Sequence, residues 1–219
     1  MKFLTGKIVI MYILNSIAHE RAERKKPDLD FDPFEALLAE MKEVGLHKDL
    51  QTIVDFYQEI STLEYSHPGL TGAEYMQHPV RVARLALCYC EDASVDLLRL
   101  CLSHNILEVV DFSNYELTGS LLSHKEHLLC LLVDRSKEWD VRYKELYYSK
   151  VENSRITSAV KVIDKLDNLY VLDSNPDDQV KRRYLGEINQ FVIPLAEKYV
   201  QKLLPDLKSI TKYQEELIK

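Results

Sequence analysis

Glycine and proline are scarce, 6 and 7 in 219 residues, so the chain has few of the residues that punctuate short strands and tight hairpins. Its apolar residues recur at spacings of three and four far more often than they alternate, which predicts an all-α protein. Cysteine is scarce as well: Cys88, Cys90, Cys101 and Cys130 are the 4 present, confined to the middle of the chain in apolar surroundings. They cannot staple a small scaffold. Cys88 and Cys90, with one residue between them and no second pair at zinc-ribbon spacing, do not make a zinc knuckle. The four read as reduced core thiols, and the compartment as cytoplasmic. Basic residues are outnumbered, 28 Lys+Arg against 35 Asp+Glu for a net charge of −7, so the overall field disfavours nucleic acid and anionic membranes as partners.

No apolar run reaches the roughly 18 residues that a membrane-crossing helix needs. The opening KFLTGKIVIMYILNSIA has the basic start and short apolar run of a secretory leader, but Lys7 interrupts it and the uninterrupted stretch ends at Leu14. A start placed too early, with Met11 as the first residue, explains the segment equally well. No membrane span is expected.

What is present suffices for a folded core. Hydrophobic residues make up 46% and charged residues 29%, a globular balance for one domain or at most two small ones. The clearest helix follows Asp32-Pro33: Phe34, Leu37, Leu38 and Met41 form an amphipathic stripe behind an N-cap and a first-turn proline, and Gly45 stops it. Further helices are predicted at roughly 48–60, 79–91, 94–109, 116–133, 137–151, 154–173, 178–199 and 201–217. Residues 1–45 read as an N-terminal helical extension and 46–219 as the main domain. The longest irregular connection in the body of the chain is STLEYSHPGLTGAEYMQ, after Ile60, and long connections often carry function.

Four places gather chemistry-bearing side chains. His78 precedes Pro79, which predicts an extended backbone and a ring projecting from the start of the helix that carries Val80, Val82 and Leu85. Alone, it reads first as an ordinary N-terminal helix residue. In HNILEVVD, residues 104–111, His104 and Glu108 are four apart inside an otherwise apolar helix, with Asn105 beside His104 around the axis. Burying that cluster without partners would cost on the order of several kcal/mol, so it is exposed, hydrogen bonded internally or engaged with a ligand. In VKVIDKLDNL, residues 160–169, Lys161, Asp164 and Asn168 make a polar row beside an apolar stripe that includes Val160, Ile163, Leu166 and Leu169. A solvated face accounts for Lys161, Lys165 and Asp167, and less well for Asn168, a weak helix former. His124 and His127, three apart with no third ligand, are expected at the surface, as are His19, His47 and His67.

Taken in order, YMQHPVRVARLAL, LCLSHNILEVVDFS and AVKVIDKLDNLYVL resemble three motifs of the HD phosphohydrolase superfamily. More narrowly, they resemble the hydrolase domain of the RelA/SpoT group, which removes the 3′-pyrophosphate from ppGpp and pppGpp. That group shows a Tyr shortly before a His-Pro, a His-Asp-x-x-Glu-Asp helix and a Lys-Leu-Ala-Asp-Arg-Leu-x-Asn helix. RYKELYYSKV and KRRYLGEINQFVIPLAEKY extend the likeness, so that it covers about residues 65–200. The resemblance implies a compact multi-helix HD-domain bundle over 46–219 and a divalent cation, usually manganese, held by His78, His104, Asn105 and Asp164. It also implies that Glu108 handles the attacking water and the departing group's proton and that Asn168 contacts a (p)ppGpp-like nucleotide; Lys161, a cation on the same helix, is a candidate to face a phosphate. The chemistry is coherent: such a cation takes carboxylate oxygen and imidazole together, and its bound water becomes a nucleophile near neutral pH.

The chain departs from that pattern at three places. Asn105 stands where the family has Asp, which keeps an amide oxygen but removes a negative charge and bidentate binding. Val109 replaces the second acid, and Asp111 substitutes for it only if the helix turns it inward. Gly69 and Leu70 fall where the family's Arg-Lys pair holds the guanine. Three readings stay open on the sequence: a weakened or substrate-altered hydrolase, a catalytically inactive nucleotide-binding or regulatory module, and a helical interaction domain whose polar cluster satisfies itself.

Overall fold

The computed structural model describes residues 32–67, 71–112, 117 and 119–218. Among them the fold is all-α, with no strand beyond an isolated antiparallel bridge between Tyr65 and Val110. Helix α1 (Pro33–Glu43) starts on Asp32, whose Oδ1 accepts from the Phe34 amide at 2.8 Å. It stops at Gly45, whose φ of +88° only glycine adopts freely, and the Leu46 amide then donates to the Met41 carbonyl at 2.8 Å. Phe34, Leu37 and Met41 are buried in the same core as the helices that follow. Helix α2 is Leu50–Ser61.

Helix α3 (Gly72–Tyr89) begins with a reciprocal cap: Thr71 Oγ1 accepts from the Glu74 amide, and Glu74 Oε2 accepts from the Thr71 amide at 2.8 Å. This corrects the expected start near residue 79. The helix is under way by Gly72, and His78 is helical rather than extended, because the cap upstream outweighs the bias that Pro79 imposes on its neighbour. Pro79 has no N–H to return to the Tyr75 carbonyl one turn back.

The single helix expected over 94–109 is broken. Helix α4 (Val95–Ser103), capped by Ser94, gives way at His104, and Asn105, at φ −105° and ψ 7°, turns the chain before the short α5 (Ile106–Val109). Asn competes with helical backbone and favours such places. The helix expected over 116–133 divides likewise at His124, φ −102° and ψ 4°, into α6 (Gly119–Ser123) and α7 (Lys125–Leu131).

Helix α8 (Val141–Glu152), capped by Asp140, leads into α9 (Arg155–Tyr170). Then α10 (Asp178–Glu187) runs through a π-helical turn, Ile188–Val192, into α11 (Ile193–Tyr199), and α12 (Leu204–Leu217) follows. Helix α9 is the centre of the fold and packs on α3, α4, α7, α8, α11 and α12. Its Val160, Val162, Ile163, Leu166 and Leu169 are each 0% exposed, and each contributes roughly 1.5–3 kcal/mol by leaving water. A helix buried on nearly every side has no solvated face. Lys161 and Asp167, expected in solvent, are therefore buried, and Lys165 is half-buried.

The four cysteines are free thiols, and burial pushes the thiol pKa up to about 12 at Cys88, about 11 at Cys90, and well up at Cys101. No helix among the described residues is long and apolar enough to cross a membrane. The opening apolar segment and His19 lie outside the described residues.

Candidate metal centre

His78 on α3, His104 at the end of α4 and Asp164 on α9 converge. His78 Nε2 lies 3.2 Å from His104 Nε2 and 3.2 Å from Asp164 Oδ1, and His104 Nε2 lies 3.4 Å from the same oxygen. The three atoms form a nearly equilateral triangle. Bonds of about 2.1 Å meeting at about 90–110° place neighbouring ligand atoms about 3.0–3.4 Å apart, so one cation fits this spacing.

Each ring is oriented from behind. His104 Nδ1 donates at 2.7 Å to the Cys101 carbonyl, one of the last carbonyls of α4, which helix ends leave short of donors. His78 Nδ1 donates at 2.7 Å to Asp167 Oδ2. A carbonyl and a carboxylate can only accept, so the proton of each neutral imidazole sits on Nδ1 and both Nε2 lone pairs face the centre. Two lone pairs and a carboxylate oxygen at this separation repel one another unless a cation or a proton lies among them.

Further partners hold the carboxylates. Asp164 Oδ2 accepts from Lys161 Nζ at 2.9 Å, and Oδ1 accepts from Asn168 Nδ2 at 2.8 Å. The Arg81 guanidinium grips Asp167 with Nε and Nη2, at 2.9 and 3.0 Å, one to each oxygen. Burial opposes charge on all these groups, and their neighbours override it. Lys161 and the two imidazoles hold the Asp164 pKa well below the usual carboxylate range, while Arg81 and His78 hold Asp167 at about 2. Asp164 raises the Lys161 ammonium above its ordinary value. Burial would lower the basicity of His78, but Asp164 and Asp167 raise its pKa to about 9. A proton and a cation would compete for the Nε2 lone pair of His78.

Two corners of the triangle, His78 and Asp164, line a cleft of about 360 Å³ that Asn105, Glu108, Lys161 and Asn168 also line, and His104 is buried behind them. The structure thus brings His78, Asn105, Glu108, Lys161, Asp164 and Asn168 to one cavity with His104 directly behind it, but gives several of them nearer partners than a nucleotide. Lys161, the candidate to face a phosphate, sits on Asp164, and the Asn168 amide braces the same carboxylate. Glu108 Oε1 accepts from the Val133 amide at 3.2 Å, and its Oε2 accepts from Arg135 Nε at 2.9 Å. Asp111 follows α5 and is exposed. Gly69 and Leu70 lie outside the described residues. On the cleft wall, Lys144 and Lys165 share the single carboxylate of Glu187 at 2.6 and 2.7 Å, while the Arg135 guanidinium is shared by the carboxylates of Glu108 and Glu138, so the two groups offset one another in charge.

His124 corrects the expectation of a surface histidine. It is buried, because the break between α6 and α7 turns its ring inward, where Nδ1 meets the Ser120 carbonyl at 2.9 Å. His127 is half-buried, and His47 and His67 are exposed. Arg81 and Asp167 are the site residues that sequence reasoning misses. Their signal is the spacing: each lies three positions after a triangle ligand, His78 or Asp164, and so shares its helical face.

Comparison with known proteins finds no family whose profile matches the chain and no curated protein similar to it in sequence.

Proposed function

We propose that the protein is a divalent-metal phosphohydrolase of the HD type, acting on a phosphorylated nucleotide of the (p)ppGpp kind. The observation that carries this reading is the triangle of His78 Nε2, His104 Nε2 and Asp164 Oδ1 with both imidazole protons drawn to the opposite nitrogens. Its corners come from the three segments whose motifs resemble that superfamily. A divalent cation bound there supplies Lewis acidity and a water that ionises near neutral pH. Manganese suits a set that mixes imidazole with carboxylate and amide oxygen. Asn105 offers the amide oxygen from the same cleft.

The surrounding residues keep the ligands in place. Arg81, through Asp167, holds His78 in its ligating tautomer, and Lys161 and Asn168 stop the Asp164 carboxylate from rotating. Lys144 and Lys165 place two ammonium groups on the wall beside the triangle, where a phosphate can pair with them in competition with Glu187. Glu108 exchanges a proton with the attacking water or the departing oxygen once it releases Arg135. The free thiols fit a reducing, cytoplasmic setting, and the net charge of −7 argues against nucleic acid and membrane as partners.

Two observations favour a second reading, a module that binds a nucleotide without turning it over: Asn105 brings no charge to the cation, and Glu108 is already engaged by Arg135. Metal analysis and phosphate release from ppGpp and simple nucleotides in added manganese, run beside Asn105→Asp, separate the two. Metal uptake with turnover by the native chain supports the hydrolase. Turnover only in Asn105→Asp supports the second reading, and neither uptake nor turnover ends the first.

A further inference from the structure

Tyr75 lies on α3 three residues before His78 and lines the same cleft. It is 5% exposed, and its hydroxyl makes no hydrogen bond among the described residues. The Asn105 carboxamide lies near it without completing one. Tyr65 and His67 pack beside the ring, with centroids at 5.2 and 5.5 Å. Tyr65 is itself fixed, its hydroxyl donating to the Ile60 carbonyl at 2.9 Å while the next residue, Ser66, donates its amide to Val109 at 2.6 Å.

A buried hydroxyl with no hydrogen-bond partner among the described residues serves the fold no better than phenylalanine would, and a ligand-bound state accounts for its presence. Burial, with Asp164 and Glu108 nearby, keeps the phenol protonated, so what it has to give is a proton in a hydrogen bond. The species that a cation at the triangle would bring within reach is an anionic oxygen. We propose that Tyr75 is a substrate-contacting residue whose hydroxyl donates to a phosphoryl oxygen seated at the His78–His104–Asp164 centre; this rests on the metal-site reading above.

The test is Tyr75→Phe, which keeps the ring and removes only the oxygen. Manganese affinity, inorganic phosphate affinity of the manganese-loaded protein by calorimetry, and the Tm of the metal-free protein are measured for both chains. The expected result is phosphate binding weakened about 10- to 100-fold, as for loss of a hydrogen bond to a charged group, with manganese affinity within twofold and a metal-free Tm no lower than native. Phosphate affinity within twofold of native, or a lowered metal-free Tm, overturns the inference, the latter because the hydroxyl would then serve the fold itself. A native chain that takes up manganese but binds no phosphate also overturns it and leaves the metal site standing. A native chain that takes up no manganese removes the metal-site reading and this inference together.

Discussion

Replacing Asp167 by Asn tests the arrangement behind the triangle at nearly constant volume. In the native chain Asp167 is 1% exposed and accepts the His78 Nδ1 proton at 2.7 Å together with Arg81 Nε and Nη2 at 2.9 and 3.0 Å. An amide offers one acceptor and one donor, so it satisfies Arg81 or His78 in full but not both. If its NH2 group faces His78, the ring must hold its proton on Nε2, and that nitrogen no longer ligates. If its oxygen faces His78, an N–H confronts the guanidinium. In either case the Arg81 guanidinium, 9% exposed, loses its carboxylate, and breaking a buried charge pair costs about 3–5 kcal/mol. For a chain of this length that corresponds to a Tm lowered by about 6–20 °C. Metal affinity should fall about 10- to 100-fold, the usual effect of losing the partner that orients a ligating imidazole. Differential scanning calorimetry of the metal-free protein and manganese titration near 10 °C, where the variant stays folded, read the two effects separately. A variant that binds manganese as tightly as the native chain would refute the claim that Asp167 sets the His78 tautomer, whatever happens to its Tm.

Other perturbations probe the frame around the site. Glu187 is held down to about 2 from 4.5, against its burial, by Lys165, Lys144 and the Tyr148 hydroxyl, so its ionisation contributes about 3 kcal/mol above its unfolded pKa. That contribution disappears as the pH falls from about 4.5 toward 2, so Glu187→Gln should lower Tm at pH 7 and flatten its acid dependence; an unchanged acid limb in a Tm series would count against it. Ile163→Ala empties a fully buried position on α9 and should cost about 2–5 kcal/mol by urea unfolding, and a loss below 1 kcal/mol would mean that the helix is not the packed centre of the fold. Thr71→Ala removes the reciprocal cap of α3 and should cost about 1 kcal/mol, with faster amide exchange confined to the first turn of that helix.

The all-α class was legible because three- and four-residue apolar spacing runs through nearly the whole chain. The same regularity hid the breaks. Leu98, Cys101, Leu102, Ile106 and Val109 keep a helical rhythm across His104 and Asn105, so periodicity carries one helix through a point where the backbone turns. Caps that are reciprocal were easier to overlook than to read: Thr71 and Glu74 stand three apart before an apolar run, yet Pro79 drew the predicted start of α3 toward itself. Within the site, His78, His104 and Asp164 were named from ordered motifs, whereas Arg81 and Asp167 were not, because a charge on a helix reads as solvated until the helix is known to be enclosed. Helix α9 is enclosed, and that tertiary fact turned Lys161, Lys165 and Asp167 from surface residues into braces for their neighbours.

The triangle joins positions far apart along the chain: 26 residues separate His78 from His104, and Asp164 comes from a still later helix. An ion gripping all three would act as a cross-link in a protein whose cysteines form no covalent one, closing long loops that an unfolded chain leaves open. Occupancy at a hundred times the dissociation constant would add about 2.7 kcal/mol to the folded state. The persistence of the fold would then follow the supply of metal, and a chain starved of it would be the first to be unfolded and degraded.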